Sequence, residues 1–373
     1  MASRPCDIVV VGAGIVGCAV AYELARRGAS VEVVDDRPAG MGATQASAGV
    51  LAPYLEAEED SPLLELAAKS LGLYEEFVAR TAADSGIAVP YRRTGTLTVA
   101  FQEDGMRKLR TTAALLARRG VAAELLDARA ARREEPHLAE DVVGALLVPV
   151  HGFVAAGELT RALAVAARRH GAQVVEGGHV RRIARANGDL IVETGRGTLT
   201  GNAVVLAAGS WSAQIEISGV AMRAPVRPVR GQLLHVGWNG TPLRRVTWSE
   251  RCYLVPWDDG TLLVGATVEE AGFDERVTVA GVRDLLEAAC ELVPHAWTAS
   301  FLAARVGLRP ATQDDLPIIG ASARLPKLMY ATGHYRNGVL LAPLTAQLVA
   351  DAMLDNRIDP ALAALSPRRF GDL

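Results

Sequence analysis

Cysteine is scarce in this chain of 373 residues: Cys6, Cys18, Cys252 and Cys290 stand far apart, with no C-x-x-C pair. That pattern excludes a disulfide framework and a zinc knuckle, and fits reduced thiols in a cytoplasm. Excess charge is missing too. A formal net charge of −3 offers nothing to a nucleic-acid backbone. The basic pairs Arg118-Arg119, Arg132-Arg133 and Arg168-Arg169 lie in Ala- and Leu-rich helical stretches, where they read as solvated faces. No apolar run approaches the ~20 residues of a membrane span. Residues 8–22 behind Arg4 look superficially like the core of a signal peptide. Their three glycines, short apolar length and lack of a small-residue cleavage site argue otherwise. The expectation is a soluble, cytoplasmic chain with no nucleic-acid partner, no stable membrane insertion and no metal.

What is present is ordinary in bulk and specific in one place. With 50 % apolar and 22 % charged residues the chain reads as globular, and its length suggests two domains or one interleaved pair. The specific stretch runs from Asp7 to Asp35. Ile8-Val9-Val10-Val11 leads into Gly12-Ala13-Gly14-Ile15-Val16-Gly17, and a helical pattern follows with Ala19, Val20, Leu24 and Ala25 on one face. Gly28 ends that helix, and Val31-Glu32-Val33-Val34 closes on Asp35. Strand, G-x-G-x-x-G, helix, strand and terminal acid in this register form a dinucleotide fingerprint. Gly12 permits the tight turn, Gly14 admits a pyrophosphate to the backbone, and Gly17 lets helix and strand approach. The helix N-terminus offers N–H groups to phosphates, and Asp35 is placed to accept from a ribose hydroxyl.

Downstream, the run from Arg37 to Val50 is rich in small residues, suited to lying against a flat or phosphorylated ligand. Glu56–Asp60 reads as an exposed loop, and residues 61–83 as an amphipathic helix. Tyr91–Phe101 alternates like one strand, and helices follow near 104–119 and 127–134. A short strand is expected around 146–149. A helix from Gly157 to His170 precedes a strand at 173–176 and a hairpin around Asn187-Gly188. Ala203–Ser212 reads as a buried parallel strand ending on small residues beside the dinucleotide. From Val226 to Gly265 the period becomes two, the mark of antiparallel sheet. Leu328–Ala331 returns to the α/β pattern, and Gly333–Gly338 leads into a closing helix. Pro343 is expected in or next to the first turn of that helix, where no intrahelical bond is lost. The helix's positive end would then face the ligand.

Several of these segments occur together elsewhere. The opening fingerprint, the Gly42–Val50 loop, Pro228-Val229-Arg230-Gly231-Gln232, Gly307-Leu308-Arg309-Pro310-Ala311-Thr312 and Gly333–Pro343 resemble, in one order and nearly end to end, the D-amino-acid oxidase family of flavoproteins. The glycine oxidase branch, which serves thiamine thiazole synthesis, is the most similar part of that family. The resemblance implies noncovalent FAD, oxidation of glycine, sarcosine or small D-amino acids with O2 as electron acceptor, and a homo-oligomer. It implies that Arg309 holds the substrate carboxylate, that Tyr253 adds a hydrogen bond, and that Arg336 belongs to the active site. Chemistry agrees on the first point, because only arginine presents a planar, permanently charged fork. No protein general base is needed if the amine binds unprotonated. Surface pairing, sheet packing and solvent exposure are the plainer alternatives for Arg309, Tyr253 and Arg336. His334 is given no catalytic role.

The expected fold is α/β plus antiparallel β: a Rossmann-like FAD-binding domain (1–88, 150–222, 306–373) interleaved with an antiparallel-sheet substrate domain (89–149, 223–305). The expected cofactor contacts are Gly12, Gly14, Ile15, Val16, Gly17, Asp35 and Asp36, then Thr44, Gln45, Ala48, Gly49 and Val50. Val180, Gly209 and the run His334, Tyr335, Arg336, Asn337, Gly338, Val339 and Leu340 complete them. Two features depart from family habit: Asp35 where glutamate is common, and no cysteine matching a covalent flavin attachment, since Cys290 sits in an Ala/Leu helix. Two other classes remain open. One is a membrane-associated D-amino-acid dehydrogenase that passes electrons to quinone; the other is a protein that binds FAD as a sensor.

Overall fold

In the computed structural model, which describes residues 6–55, 61–220 and 222–373, the apolar run Cys6–Val11 is a central parallel strand. It lies between Val31–Asp35 and Gly197–Leu206. Its alternate side chains serve two cores. Ile8 and Val10 pack with the helices Ile15–Arg26, Pro62–Ser85, Ala156–Arg169 and Gly338–Leu354, while Val9 and Val11 pack with Ile183, Leu206 and Tyr330. A parallel strand covered on both faces must be apolar throughout, which is why the sequence there alternates so little. The sheet grows to nine strands through Gln173–Glu176, the hairpin Val180–Ala186/Asp189–Thr194, Glu216–Ile217, Ile318–Ala321 and Leu328–Thr332. The hairpin turns on Asn187 and Gly188, both at positive φ (50° and 90°), the two-residue turn that suits strand twist.

The second sheet has eight strands in the order Ser300–Ala311, Arg227–Gly237, Thr261–Gly265, Tyr253–Pro256, Val246–Trp248, Thr96–Ala100, Gly144–Val148 and Glu124–Asp127. It is antiparallel except where Val246–Trp248 runs parallel to Thr96–Ala100. The expected domain boundary at 306 falls inside Ser300–Ala311, which pairs with Arg227–Gly237 along its length. The single strand expected over Tyr91–Phe101 is two. Gly95, at φ +82°, breaks it where its backbone lies against Val148 and Pro149. Tyr91–Arg92 then joins a small sheet with Gly152–Val154 and Val50–Leu51, and Thr96–Ala100 joins the large one. The loop expected at 56–60 lies outside the described residues. After it, Ser61 caps the Pro62–Ser85 helix by accepting from the Leu63 N–H at 3.2 Å, and Gly86 closes it in the left-handed region.

Pro343 is not in the first turn. The helix begins at Gly338, so Pro343 is deep enough to deprive the Val339 carbonyl of its intrahelical donor. The Pro62–Ser85 helix supplies the repair. Tyr74, wholly buried, donates its hydroxyl to the Val339 carbonyl. One turn away, Ser70 Oγ donates to the Leu340 carbonyl at 2.6 Å and accepts from the Leu344 N–H at 3.4 Å. The proline is tolerated because a neighbouring helix completes the ladder.

Candidate active site

Between the two sheets lies a cavity of about 810 Å³, walled by residues of both, within the ~300–1,000 Å³ range of small-molecule sites. The three glycines of the fingerprint do different work at its edge. Gly12 has φ +108°, and a Cβ there would fall 2.4 Å from the Ala207 carbonyl oxygen; a Cβ on Gly17 would fall 1.9 Å from the Gly12 carbonyl oxygen. Those two serve the fold. A Cβ on Gly14 would meet only Thr44 Oγ1 at 3.7 Å, so the space beside Gly14 is kept open for something other than protein. Gly14, Ile15 and Val16 face the cavity at the start of the Ile15–Arg26 helix, whose first turn holds no acidic residue. That is the setting a pyrophosphate requires.

Asp35 is already engaged. Its Oδ2 accepts from the Ala13 N–H at 2.6 Å and its Oδ1 from the Arg37 N–H at 2.9 Å, bracing the glycine turn against the second strand. Burial pushes its carboxyl up while these two N–H groups pull the other way. A carboxylate has roughly four acceptor sites, so the brace leaves capacity for a ribose hydroxyl, and Asp35 and Asp36 both line the cavity.

Thr44, Ala48, Gly49 and Val50 line the cavity as expected, with Thr44 Oγ1 accepting from the Ile15 N–H at 3.2 Å. Gln45 does not. The short 3-10 turn Ala43–Ala46 sends its side chain outward, where Nε2 reaches the Val306 carbonyl at 3.5 Å. Gly17 also lies off the cavity, in its packing role. On the far side, Val180, Gly209 and the run 334–340 are in the wall. Tyr335 holds φ +47°, an unusual conformation for a non-glycine residue, and its N–H donates to the Pro310 carbonyl at 2.8 Å. His334 is buried with Nε2 3.1 Å from Thr345 Oγ1, and burial lowers its pKa to about 3. It is a neutral ring that serves structure.

Tyr253 and Arg309, expected to bind substrate, come from different strands of the second sheet and share the cavity wall. Each is laid across a glycine. Tyr253 pairs in register with Gly265, where a Cβ would fall 2.3 Å from its ring. Arg309 lies over Gly231, where a Cβ would fall 2.3 Å from Nη1. Arg309 Nη1 donates to the Thr267 carbonyl at 3.0 Å and the Arg230 carbonyl at 3.4 Å. Arg336 is exposed at the cavity's edge, its guanidinium 5.3 Å from the Tyr335 ring centre. Sequence reasoning missed Trp248, which pairs with Tyr253 across the strands and sits 4.5 Å from it ring to ring. Glycines inside strands, Gly231 and Gly265, were the available signal for an overlying side chain. Among the described residues no cluster of His, Cys, Asp or Glu could hold a metal ion.

A nine-stranded dinucleotide fold whose glycine turn opens into a cavity closed by a second sheet defines a dinucleotide-dependent oxidoreductase. The model of the FAD dependent oxidoreductase family matches residues 7–352, and the chain belongs to that family. FAD is its cofactor, and the open space at Gly14, the helix N-terminus there and Asp35 fit that group. Glycine oxidase of Geobacillus kaustophilus is 35 % identical over 347 residues, 92 % of each chain. The crystal structure of that species' glycine oxidase covers 98 % of both chains at a TM-score of 0.93 and 34 % identity. The bifunctional protein ThiO/ThiG of Synechocystis sp. is 35 % identical over 371 residues, and there the chain spans only 54 % of its relative's length. No helix among the described residues is long and apolar enough to cross a membrane.

Proposed function

We propose that this chain is a glycine oxidase-like enzyme that oxidises glycine and other small amines, sarcosine and small D-amino acids among them. The observation that carries the reading is the meeting of Arg309 and Tyr253 with Gly12 and Gly14 of the fingerprint in one cavity. FAD supplies the two-electron acceptor. Arg309 holds the substrate carboxylate through paired charge-assisted hydrogen bonds, and Tyr253 Oη donates a further one. Trp248 backs Tyr253 and narrows the space left for a substrate side chain. The amine enters unprotonated, and His334 takes no proton because burial keeps it neutral. The imine product hydrolyses to glyoxylate or another 2-oxo acid with release of ammonia or a primary amine, and O2 takes the electron pair and two protons to become H2O2.

Residues 1–88, 150–222 and the portion after Ala311 make the cofactor half in this reading; the remainder makes the substrate half. The flavin is noncovalent. Cys252 is the cysteine in the cavity wall, and burial pushes its thiol up to about 12, which leaves it unreactive. The likeness to ThiO/ThiG supports a role in thiamine thiazole synthesis; a cytoplasmic location and a homo-oligomer belong to the same proposal. Anaerobic titration of the yellow protein with glycine, sarcosine and D-alanine tests the reading. Bleaching of the flavin by at least one of them is expected, with oxygen uptake on admitting air. A flavin that none of them bleaches would overturn it, and bleaching without oxygen uptake would point to another acceptor.

A further inference from the structure

The segment Pro228-Val229-Arg230-Gly231-Gln232 lies under Arg309 through Gly231 and the Arg230 carbonyl. Its polar side chains are buried: Arg230 is 7 % exposed and Gln232 wholly enclosed. Buried charge and amide must find partners, and both find Glu269. Glu269 Oε2 accepts from Arg230 Nη2 at 2.6 Å and Nε at 3.1 Å; Oε1 accepts from Gln232 Nε2 at 2.8 Å and from the Thr267 hydroxyl. Thr267 Oγ1 in turn accepts from the Gln232 N–H at 2.8 Å. The backbones of Arg230 and Glu269 exchange two hydrogen bonds of 2.9 Å. Glu269 thus ties a loop, residues 266–278, to the strand Arg227–Gly237, alongside Asp274, whose Oδ2 lies 3.1 Å from Arg230 Nη1, and Thr278, which exchanges hydrogen bonds with Gln232.

The loop and the strand each present one carbonyl to Arg309, Thr267 at 3.0 Å and Arg230 at 3.4 Å, both on Nη1. Two acceptors on one terminal nitrogen, with Gly231 beneath, set the plane of the guanidinium. Glu269 is not in the cavity wall. It ties together the two segments whose carbonyls meet Arg309 Nη1.

We infer that Glu269 is a positioning residue for substrate binding: through Arg230, Gln232 and Thr267 it holds the two carbonyls that orient Arg309 toward the substrate carboxylate. The inference rests on the reading of Arg309 given above. Burial raises the Glu269 carboxyl, and the bonds from Thr267, Gln232 and Arg230 outweigh it, so the group is held ionised below its ordinary range. Its fixed negative charge, with that of Asp274, balances Arg230 inside the sheet.

The test is steady-state kinetics of the holoenzyme with glycine, and competition by acetate as a minimal carboxylate. Glu269→Gln keeps the shape and removes the charge. It should raise the KM for glycine and the inhibition constant of acetate about tenfold, the scale of one loosened charge-assisted hydrogen bond. Flavin content should stay at the parent level and kcat should change far less than KM. A merely structural role would lower flavin content or kcat and leave KM alone. Thr267→Val should reproduce the rise in KM, and Thr267→Ser, which keeps the hydroxyl, should reverse it; this pair decides the matter if Glu269→Gln fails to fold. An unchanged KM in Glu269→Gln, or equal behaviour of the two Thr267 variants, overturns the inference. Arg309→Lys run alongside separates the two claims. If it raises KM and Glu269→Gln does not, the network is wrong; if neither does, the Arg309 reading itself is wrong.

Discussion

The hydroxyl of Tyr74 donates to the carbonyl of Val339, the one acceptor that Pro343 deprives of its helical partner. Tyr74 is fully buried, so Tyr74→Phe leaves that acceptor dry and unmatched, at a cost of ~1–3 kcal/mol. In a Pro343→Ala background the helix regains its own N–H, and the same Tyr74→Phe change should cost much less. Urea denaturation of the four proteins measures the coupling. Equal costs in both backgrounds would show that the hydroxyl does not repair the proline.

Gly14 and Gly17 should fail in different ways. A side chain on Gly14 enters open cavity, whereas one on Gly17 meets backbone at 1.9 Å. Gly14→Val is expected to fold with a parental circular-dichroism spectrum and to bind little FAD. Gly17→Val should lose soluble protein. Full flavin content in purified Gly14→Val would mean the pyrophosphate lies elsewhere.

Arg309→Lys keeps a positive charge and loses the fork. Each charge-assisted bond is worth ~1.5–3 kcal/mol, so losing one should raise the KM for glycine about tenfold to a hundredfold. The turnover number should fall as well, since hydride transfer depends on near-attack geometry. Flavin content should be unaffected, because the fingerprint glycines lie on the other sheet. Unaltered glycine kinetics would pass the role of carboxylate anchor to Arg336.

Acid sensitivity should carry the signature of two buried rings. His151 is fully buried under Tyr54, bonded at Nδ1 to Thr96 Oγ1 at 2.8 Å, and its Nε2 has no partner among the described residues. Burial lowers its pKa to about 3, as it does for His334. An unfolded histidine titrates near ~6.5, so between those values the unfolded chain binds a proton that the folded chain refuses. Stability is therefore whole above pH ~6.5 and falls as pH drops toward 3, by up to ~1.4 kcal/mol per unit for each ring. His151→Gln keeps the bond to Thr96 and should lessen the loss between pH 7 and 5 by roughly 2 kcal/mol. Parallel melting curves at the two pH values would refute this.

The sequence made the opening unit legible because its information is local: period, glycines and Asp35 fall within thirty residues. Pro343 was misplaced because its compensation is remote, Tyr74 being 265 positions from Val339. Gln45 was misassigned for a different reason. In a small-residue loop nothing in the sequence reveals a 3-10 turn that puts Thr44 inward and its neighbour outward. The family resemblance suggested Arg309 and Tyr253, yet their support lies in cross-strand register, with Gly231 under one and Gly265 under the other. Trp248 went unnoticed because register, not spacing, sets it against Tyr253.

The order of strands in the first sheet has a consequence for synthesis. Cys6–Val11 is flanked by Gly197–Leu206, which in turn pairs with Leu328–Thr332, and the far wall of the cavity is the run 331–340. A ribosome releases the glycine turn about three hundred residues before the wall that encloses its ligand. Until residue 340 has emerged there is no closed site, so flavin capture must wait for that run. Because a ligand that binds only the folded form stabilises it by mass action, the flavin available at that moment sets how much of each batch of chains reaches the native state.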